Sequence, residues 1–428
     1  MKKLAIILLS TFLFLPRTVD STERDGELSE AQKETFSNST ATQLLYFTDV
    51  PKAPRLAVAS MTYSDLELTS ESNMLPKETL LDIEAILTNS KGVKVFQLAD
   101  ETYIEASRNL IFDDSIISSE SIDETRWLKN SSSLYSAPYT YGVAKQANTL
   151  SAGDKLHLVE KAVTYYGTYY KLENGGWISE EDTSTTDTRM LKVQALLNSK
   201  YNKSNYSIYV KQLTTQSIAG INMDQNMYAA SVAKLATLYV TQEKINTGEL
   251  SYSQKWTYID AVNHFNGSYD PSGSGKLNKE ADNKDYSVDE LLQLTAKHSD
   301  NVAANMLGYY AANQFDSSFY QTVRTIAGQS WDMTGRQLSA HSAGNLMEAI
   351  YYQNGRIIDY LSQTDFDTER ISKNIPVKVA HKIGDAYDYK HDVAIVYTDS
   401  PFILSIFTDK ASYDDISQIA DDIYNILK

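Results

Sequence analysis

The chain is 428 residues long, has no cysteine and only six histidines, and carries 55 acidic against 39 basic side chains for a formal net charge of −16. That length accommodates two to four domains and a sizeable core. The acid excess argues against a nucleic-acid partner, the missing thiols exclude disulfides and thiolate metal sites, and the scattered histidines show no metal-ligand spacing, so neither a metal nor another cofactor is expected.

Met1-Lys2-Lys3 followed by the apolar run Leu4 to Leu15 reads as a secretory segment, too short for a comfortable membrane span. Residues 1–20 are therefore expected to be a signal peptide or an uncleaved signal anchor, which makes the protein exported and confines membrane contact to that segment. Residues 21–54 are rich in Ser, Thr, Glu and Asp and read as a flexible spacer. From 55 to 122 short strand-like runs take over: Leu80 to Thr88 alternates, Asn89 to Gly92 turns, and Val93 to Leu98 and Glu101 to Ala106 follow. A second β module is expected over 123–185, with strands around Ser133, Leu156, Thr168 and Gly175-Gly176-Trp177. Thr183 to Thr188 reads as the linker out of it.

Residues 186–428 have a different rhythm. A helix over Met190 to Ser199 precedes strands at Tyr206 to Leu213 and Ser217 to Asn222, and a small-residue helix starts at Tyr228. Helical segments then run through Ser287, Asn301 and Ser342, before strands at Asp392 to Tyr397 and Phe402 to Thr408 and a last helix, Ile416 to Leu427. Strands at both ends with helices between predict an α/β domain whose one sheet is built from the two termini beside a helical cluster.

Three short motifs stand in this last region. Ser231 and Lys234 lie three apart on a predicted helix, so a hydroxyl and an amine share one face and can share a proton. Ser299-Asp300-Asn301 follows a helix, and Lys382-Ile383-Gly384 enters a strand. Alone, a Ser and a Lys at this spacing occur by chance in many helices. The three together, in this order, resemble the signature set of the serine β-lactamases and penicillin-binding proteins, and the flanking sequence is most similar to class A. The resemblance implies that Ser231 is the acyl-accepting nucleophile and Lys234 its base. It also implies that Ser299 relays a proton to the leaving group, that Asn301 orients the substrate amide or the lysine, and that Lys382 and Gly384 border the substrate. The backbone N–H groups of Ser231 and Asp385 would form the oxyanion hole.

Three departures from the class A pattern stand out. Ile383 replaces a hydroxyl residue, and Asp385 sets a negative charge beside the place of an anionic substrate. The Glu-x-x-Leu-Asn loop that activates the deacylating water has no counterpart between Asn301 and Lys382. Asp332 is the nearest loop carboxylate, and Glu348 lies within a helix pattern and reads as structural. The expected chemistry is thus acyl-enzyme formation on a cell-envelope amide or ester of D-alanine type, or on a β-lactam, with poor β-lactam turnover. The alternatives are a genuine β-lactamase and a catalytically idle wall-binding protein. In the second β module, Gly176-Trp177 and the strand order resemble the GW family of bacterial SH3-like domains, and the first module resembles a diverged relative. That resemblance implies attachment to a wall polymer, peptidoglycan or a teichoic acid, although the second module's balanced charge is not the basic face a polyanion favours.

Overall fold

The computed structural model describes residues 45–113, 116–138, 145–164 and 167–428. The secretory segment and most of the expected spacer lie outside the described residues. The chain divides into two compact units, the first running to Ile117 and the second from Ser118 onward.

From Tyr46 onward the described part of the first unit is built of strands. Five antiparallel strands pair in the order Glu71–Leu75, Ser60–Tyr63, Tyr103–Glu105, Lys94–Leu98, Ile83–Thr88, and Pro54–Leu56 pairs separately with Ile111–Asp113. Alternating apolar residues bury Leu56, Phe96, Leu98, Ile104 and Ile111 together. Phe47 joins this core at 2% exposure and Tyr46 bridges to Ser107, so residues 46–54 are part of the fold and not of the spacer expected to extend to 54.

The second unit opens with a seven-stranded sheet of its own, to which Ile116–Leu128 contributes a strand that runs through the boundary expected at 122. Its core gathers Leu128, Leu134, Leu156, Leu158, Tyr170, Leu172 and Ile178. Trp177 is 7% exposed and packs on Tyr169 and Ala162, so its ring is spent on packing. The expected linker is not loose. Thr183 pairs with Leu128 in the sheet and is buried, and the Thr188 hydroxyl donates to the Leu128 carbonyl at 2.9 Å.

The rest of the second unit is an α/β/α sandwich. Strands β1 (Tyr206–Gln212), β2 (Ile218–Ile221), β3 (Val379–Ala386), β4 (Tyr389–Val396) and β5 (Phe402–Asp409) form one antiparallel sheet in the order β2-β1-β5-β4-β3. Both sheet faces are covered, which is why these strands read as near-continuous apolar runs. On one face Ile208, Val210, Leu404 and Ile406 meet helix α1 (Met190–Leu196) and the C-terminal helix, whose Ile416, Ile419 and Ile423 point inward. On the other, Tyr209, Val393, Ile403 and Phe407 meet the helical cluster inserted between β2 and β3. That cluster comprises α2 (Lys234–Asn246), α3 (Val288–Lys297), α4 (Asn301–Tyr310), α5 (Ser317–Ala327), α6 (Ala340–Tyr352) and α7 (Ile357–Leu361), and α8 (Tyr413–Leu427) closes the chain. Helix α6 starts on a Ser339/Ser342 capping box, and the Asp300 carboxylate caps α4 by accepting from Ala303 N at 2.9 Å. Among the described residues no helix is long and apolar enough to cross a membrane.

Candidate active site

Ser231 does not sit in the α-helix that its spacing from Lys234 predicts. Ala230–Ala233 forms a 3₁₀ turn and Lys234 is the first residue of α2. The juxtaposition survives because side chains three apart eclipse one another in a 3₁₀ turn. Lys234 Nζ lies 3.0 Å from Ser231 Oγ. Ala230, just before the serine, has φ +48°, a left-handed conformation unfavourable for a residue with a Cβ, and Ser299 shares it at +51°.

Lys234 is fully buried and its amine is tightly coordinated. It donates to the Ser299 carbonyl and to Asn301 Oδ1, both at 2.6 Å, and its Nζ is 3.4 Å from Ser299 Oγ. Burial is the main force pushing this lysine well below the usual ammonium range, and the charges of Lys382 and Arg336 push the same way against Asp300. Lys382 reaches in from β3 and donates to Ser299 Oγ at 2.7 Å and to the Ile383 carbonyl at 3.1 Å. It too is held down by burial, to about 7, with Arg370 adding to the effect and Asp392 opposing it. Ser299 Oγ thus stands between two buried amines. The five side chains named from the motifs, Ser231, Lys234, Ser299, Asn301 and Lys382, converge on one point.

Two glycines let the backbone segments close. A Cβ on Gly384 would collide with the Ala229 carbonyl, so only glycine lets β3 approach the turn that carries Ser231 and sets Asp385 beside it. His391, opposite Gly384 on β4, ties the same junction: its Nε2–H donates to the Tyr228 carbonyl at 2.9 Å while Nδ1 accepts from Thr408 N at 3.0 Å. That pairing requires a neutral ring, and burial pushes its ionisation down to about 4. The second glycine is Gly275 in the stretch Asp270-Pro-Ser-Gly-Ser-Gly275, which packs against Asp300 and leaves no room for a Cβ. The Asp300 carboxylate accepts from Leu277 N at 2.8 Å, and Asn301 Nδ2 donates to the Asp270 carbonyl at 2.8 Å. Both polar ends of Asn301 are therefore spent on Lys234 and this loop, so it orients the lysine.

Sequence reasoning did not single out this loop, nor Tyr269, Arg336 and Arg370. The Tyr269 ring lies between Lys234 Nζ, 4.5 Å from its centroid, and the Arg336 guanidinium at 4.0 Å. Arg336 also donates to the Gly267 and Ser268 carbonyls at 3.0 and 3.1 Å. The glycine pair in Ser272-Gly-Ser-Gly was the available signal for the loop. The two arginines lie in no motif and become visible only when the chain folds.

The carboxylates between Asn301 and Lys382 are occupied elsewhere. Asp332 caps its own turn by accepting from Thr334 N and Gly335 N, and Glu348 pairs with Lys211 at 2.7 Å, as its place in the helix pattern predicts. Asp367 and the buried Asp392 flank His381, at 3.1 and 2.9 Å. Burial alone would favour the neutral imidazole, but the two carboxylates outweigh it and raise His381 to about 9. Among the described residues no three His, Asp or Glu side chains assemble into a metal site.

Comparison with known proteins separates the two ends of the chain. A family model described as "Beta-lactamase enzyme family" matches residues 189–427, and one described as "Domain of unknown function (DUF5776)" matches residues 46–111. No curated protein matches the sequence. Among solved structures, PBP-A is 18% identical, with 56% of this chain and 94% of that one aligned at a TM-score of 0.46. A beta-lactamase from Sphaerobacter thermophilus DSM 20745 is 17% identical over the same shares at 0.44. One from Francisella tularensis is 15% identical, covering 56% of this chain and 98% of that one, at 0.44.

Proposed function

Since the chain belongs to the beta-lactamase enzyme family through residues 189–427, we propose that it is a serine acyl-transferring hydrolase that forms an ester on Ser231 and releases it slowly. The observation that carries this reading is the coordination of Lys234. With two N–H bonds directed to the Ser299 carbonyl and Asn301 Oδ1, the neutral amine keeps its lone pair for the Ser231 proton, 3.0 Å away. Ser231 Oγ attacks the acyl carbon, and the oxyanion is held by the N–H groups of Ser231 and Asp385. The proton taken by Lys234 passes through Ser299 Oγ to the leaving atom, and Lys382 holds Ser299 in place from the other side.

Slow release follows from the occupied carboxylates. Hydrolysis of the ester needs a base on the water side. Asp332, Glu348, Asp365 and Asp367 are each engaged by another group of the protein. The natural substrate in this reading is an amide or ester of the cell envelope, of D-alanine type, with β-lactams as poorly turned-over acyl donors.

The basic and apolar start of the chain supports export, and the Gly176-Trp177 strand order supports a GW or SH3-like module that attaches the protein to a wall polymer. Nitrocefin hydrolysis tests the chemistry: turnover well above a Ser231→Ala control would replace this reading with a true β-lactamase. Covalent labelling of Ser231 by benzylpenicillin, located by mass spectrometry after proteolysis, with little nitrocefin turnover is the expected result. No labelling after hours at millimolar concentration would leave a binding protein on a hydrolase scaffold.

A further inference from the structure

Four cations around Ser231 are committed to the protein's own groups. Lys234 and Lys382 point at Ser299 and its neighbours, and Arg336 at two loop carbonyls. The fourth, Arg370, is 1% exposed and bears on Lys382 electrostatically. Its Nη1 meets Glu369, its Nη2 meets Asp385, and its guanidinium stacks 3.8 Å over the Tyr413 ring. The Tyr413 hydroxyl donates to the same Asp385 carboxylate. Two carboxylates thus face one buried guanidinium, and one of them belongs to the residue that follows Gly384 on the strand closing over the nucleophile. Beside it, Ile383 offers a side chain with no hydroxyl and is 5% exposed.

We propose that Asp385 supplies the carboxylate on the cationic side of this site, so that the enzyme prefers acyl donors whose leaving group is uncharged over donors whose leaving group ends in a carboxylate. The inference rests on the acyl-transfer reading and narrows its substrate class to D-alanine-type esters that release an uncharged alcohol, away from amides that release D-alanine with its carboxylate. A carboxylate on the leaving group would have to displace Asp385 from Arg370, leaving a partly buried anion without its partner, or stand beside it as a like charge. An uncharged ester or amide meets neither penalty, and the apolar Ile383 side chain costs it nothing.

The full chain is mixed with two esters of phenylacetylglycine that differ only in the leaving group, 3-hydroxybenzamide or 3-hydroxybenzoate. In each, Ser231 Oγ forms the new C–O bond, the bond to the phenol breaks, and the serine proton leaves with the phenol, whose burst release gives the acylation rate. The uncharged ester is expected to acylate at least tenfold faster. Asp385→Asn should shift that ratio at least fivefold toward the carboxylate ester, and Tyr413→Phe, which removes one donor to Asp385, should shift it less in the same direction. Equal or faster acylation by the carboxylate ester in the unaltered protein overturns the proposal, and this comparison stands even where a variant fails to fold. A ratio that a folded Asp385→Asn leaves unmoved overturns it as well. If neither ester nor benzylpenicillin labels Ser231, the acyl-transfer reading falls and takes this inference with it; labelling with the wrong preference removes this inference alone.

Discussion

For single residues, the proposed chemistry turns on two buried lysines, both held below the usual ammonium range. Because burial and the neighbouring charge of Lys382 hold Lys234 well below the usual ammonium range, acylation of Ser231 should climb as Lys234 loses its proton, on a limb well below that of an exposed lysine. Removing the neighbouring charge with Lys382→Gln lets Lys234 keep its proton to higher pH, so the rising limb should move upward; single-turnover acylation from pH 5 to 9 measures this, and an unmoved limb contradicts the assignment. Ser231, Lys234, Ser299, Asn301 and Lys382 were legible because each sits in a short motif whose spacing carries its chemistry. Arg370 and Arg336 were not, since an arginine's partners, here Asp385, Tyr413 and Tyr269, are distant in sequence.

At the scale of the element, the site is made where the β3–β4 hairpin closes on the 3₁₀ turn. Gly384→Ala should push β3 away from Ala229, separating the proposed oxyanion donors and lowering acylation by about 100-fold. A burst rate within threefold of the unaltered protein would show that the approach is not needed. The same hairpin carries the buried His381–Asp392 pair, which the half-exposed Asp367 meets from the preceding loop. His381 is raised from 6.5 to about 9 in the fold, which corresponds to roughly 3 kcal/mol. A raised pKa stabilises fully below the unfolded value and the gain fades as pH rises through the folded one, so this contribution is whole below about 6.5 and lost by about 9. The melting-temperature deficit of His381→Asn relative to the unaltered protein should therefore shrink between pH 6 and pH 9; a constant deficit would assign the loss to packing. The helix at Ser231 is the element that sequence periodicity described least well. Its small apolar residues fit α and 3₁₀ equally, and the left-handed Ala230 that sets the turn has no signature in a side chain.

At the scale of the whole molecule, the alternation of strands and helices in residues 186–428 was enough to read a sheet made from both ends of the domain, because burial on both faces writes itself as long apolar runs. The boundaries were read less well. Phe47 and Thr183 lie in Ser- and Thr-rich stretches whose composition resembles spacers, yet both are buried by contacts far along the chain. Because Thr183 is paired in the sheet and Thr188 is bonded to Leu128, limited proteolysis of the native protein should spare residues 183–189; first cleavage there would contradict the docking. In the proposed mechanism this chain makes an ester at Ser231 faster than it breaks one. Intact-mass spectrometry of the full protein, after hours with benzylpenicillin and removal of the excess, tests it most directly. One added penicilloyl mass is expected, absent in Ser231→Ala and decaying over hours; an adduct that never forms, or one gone within seconds, would rule out slow release from Ser231.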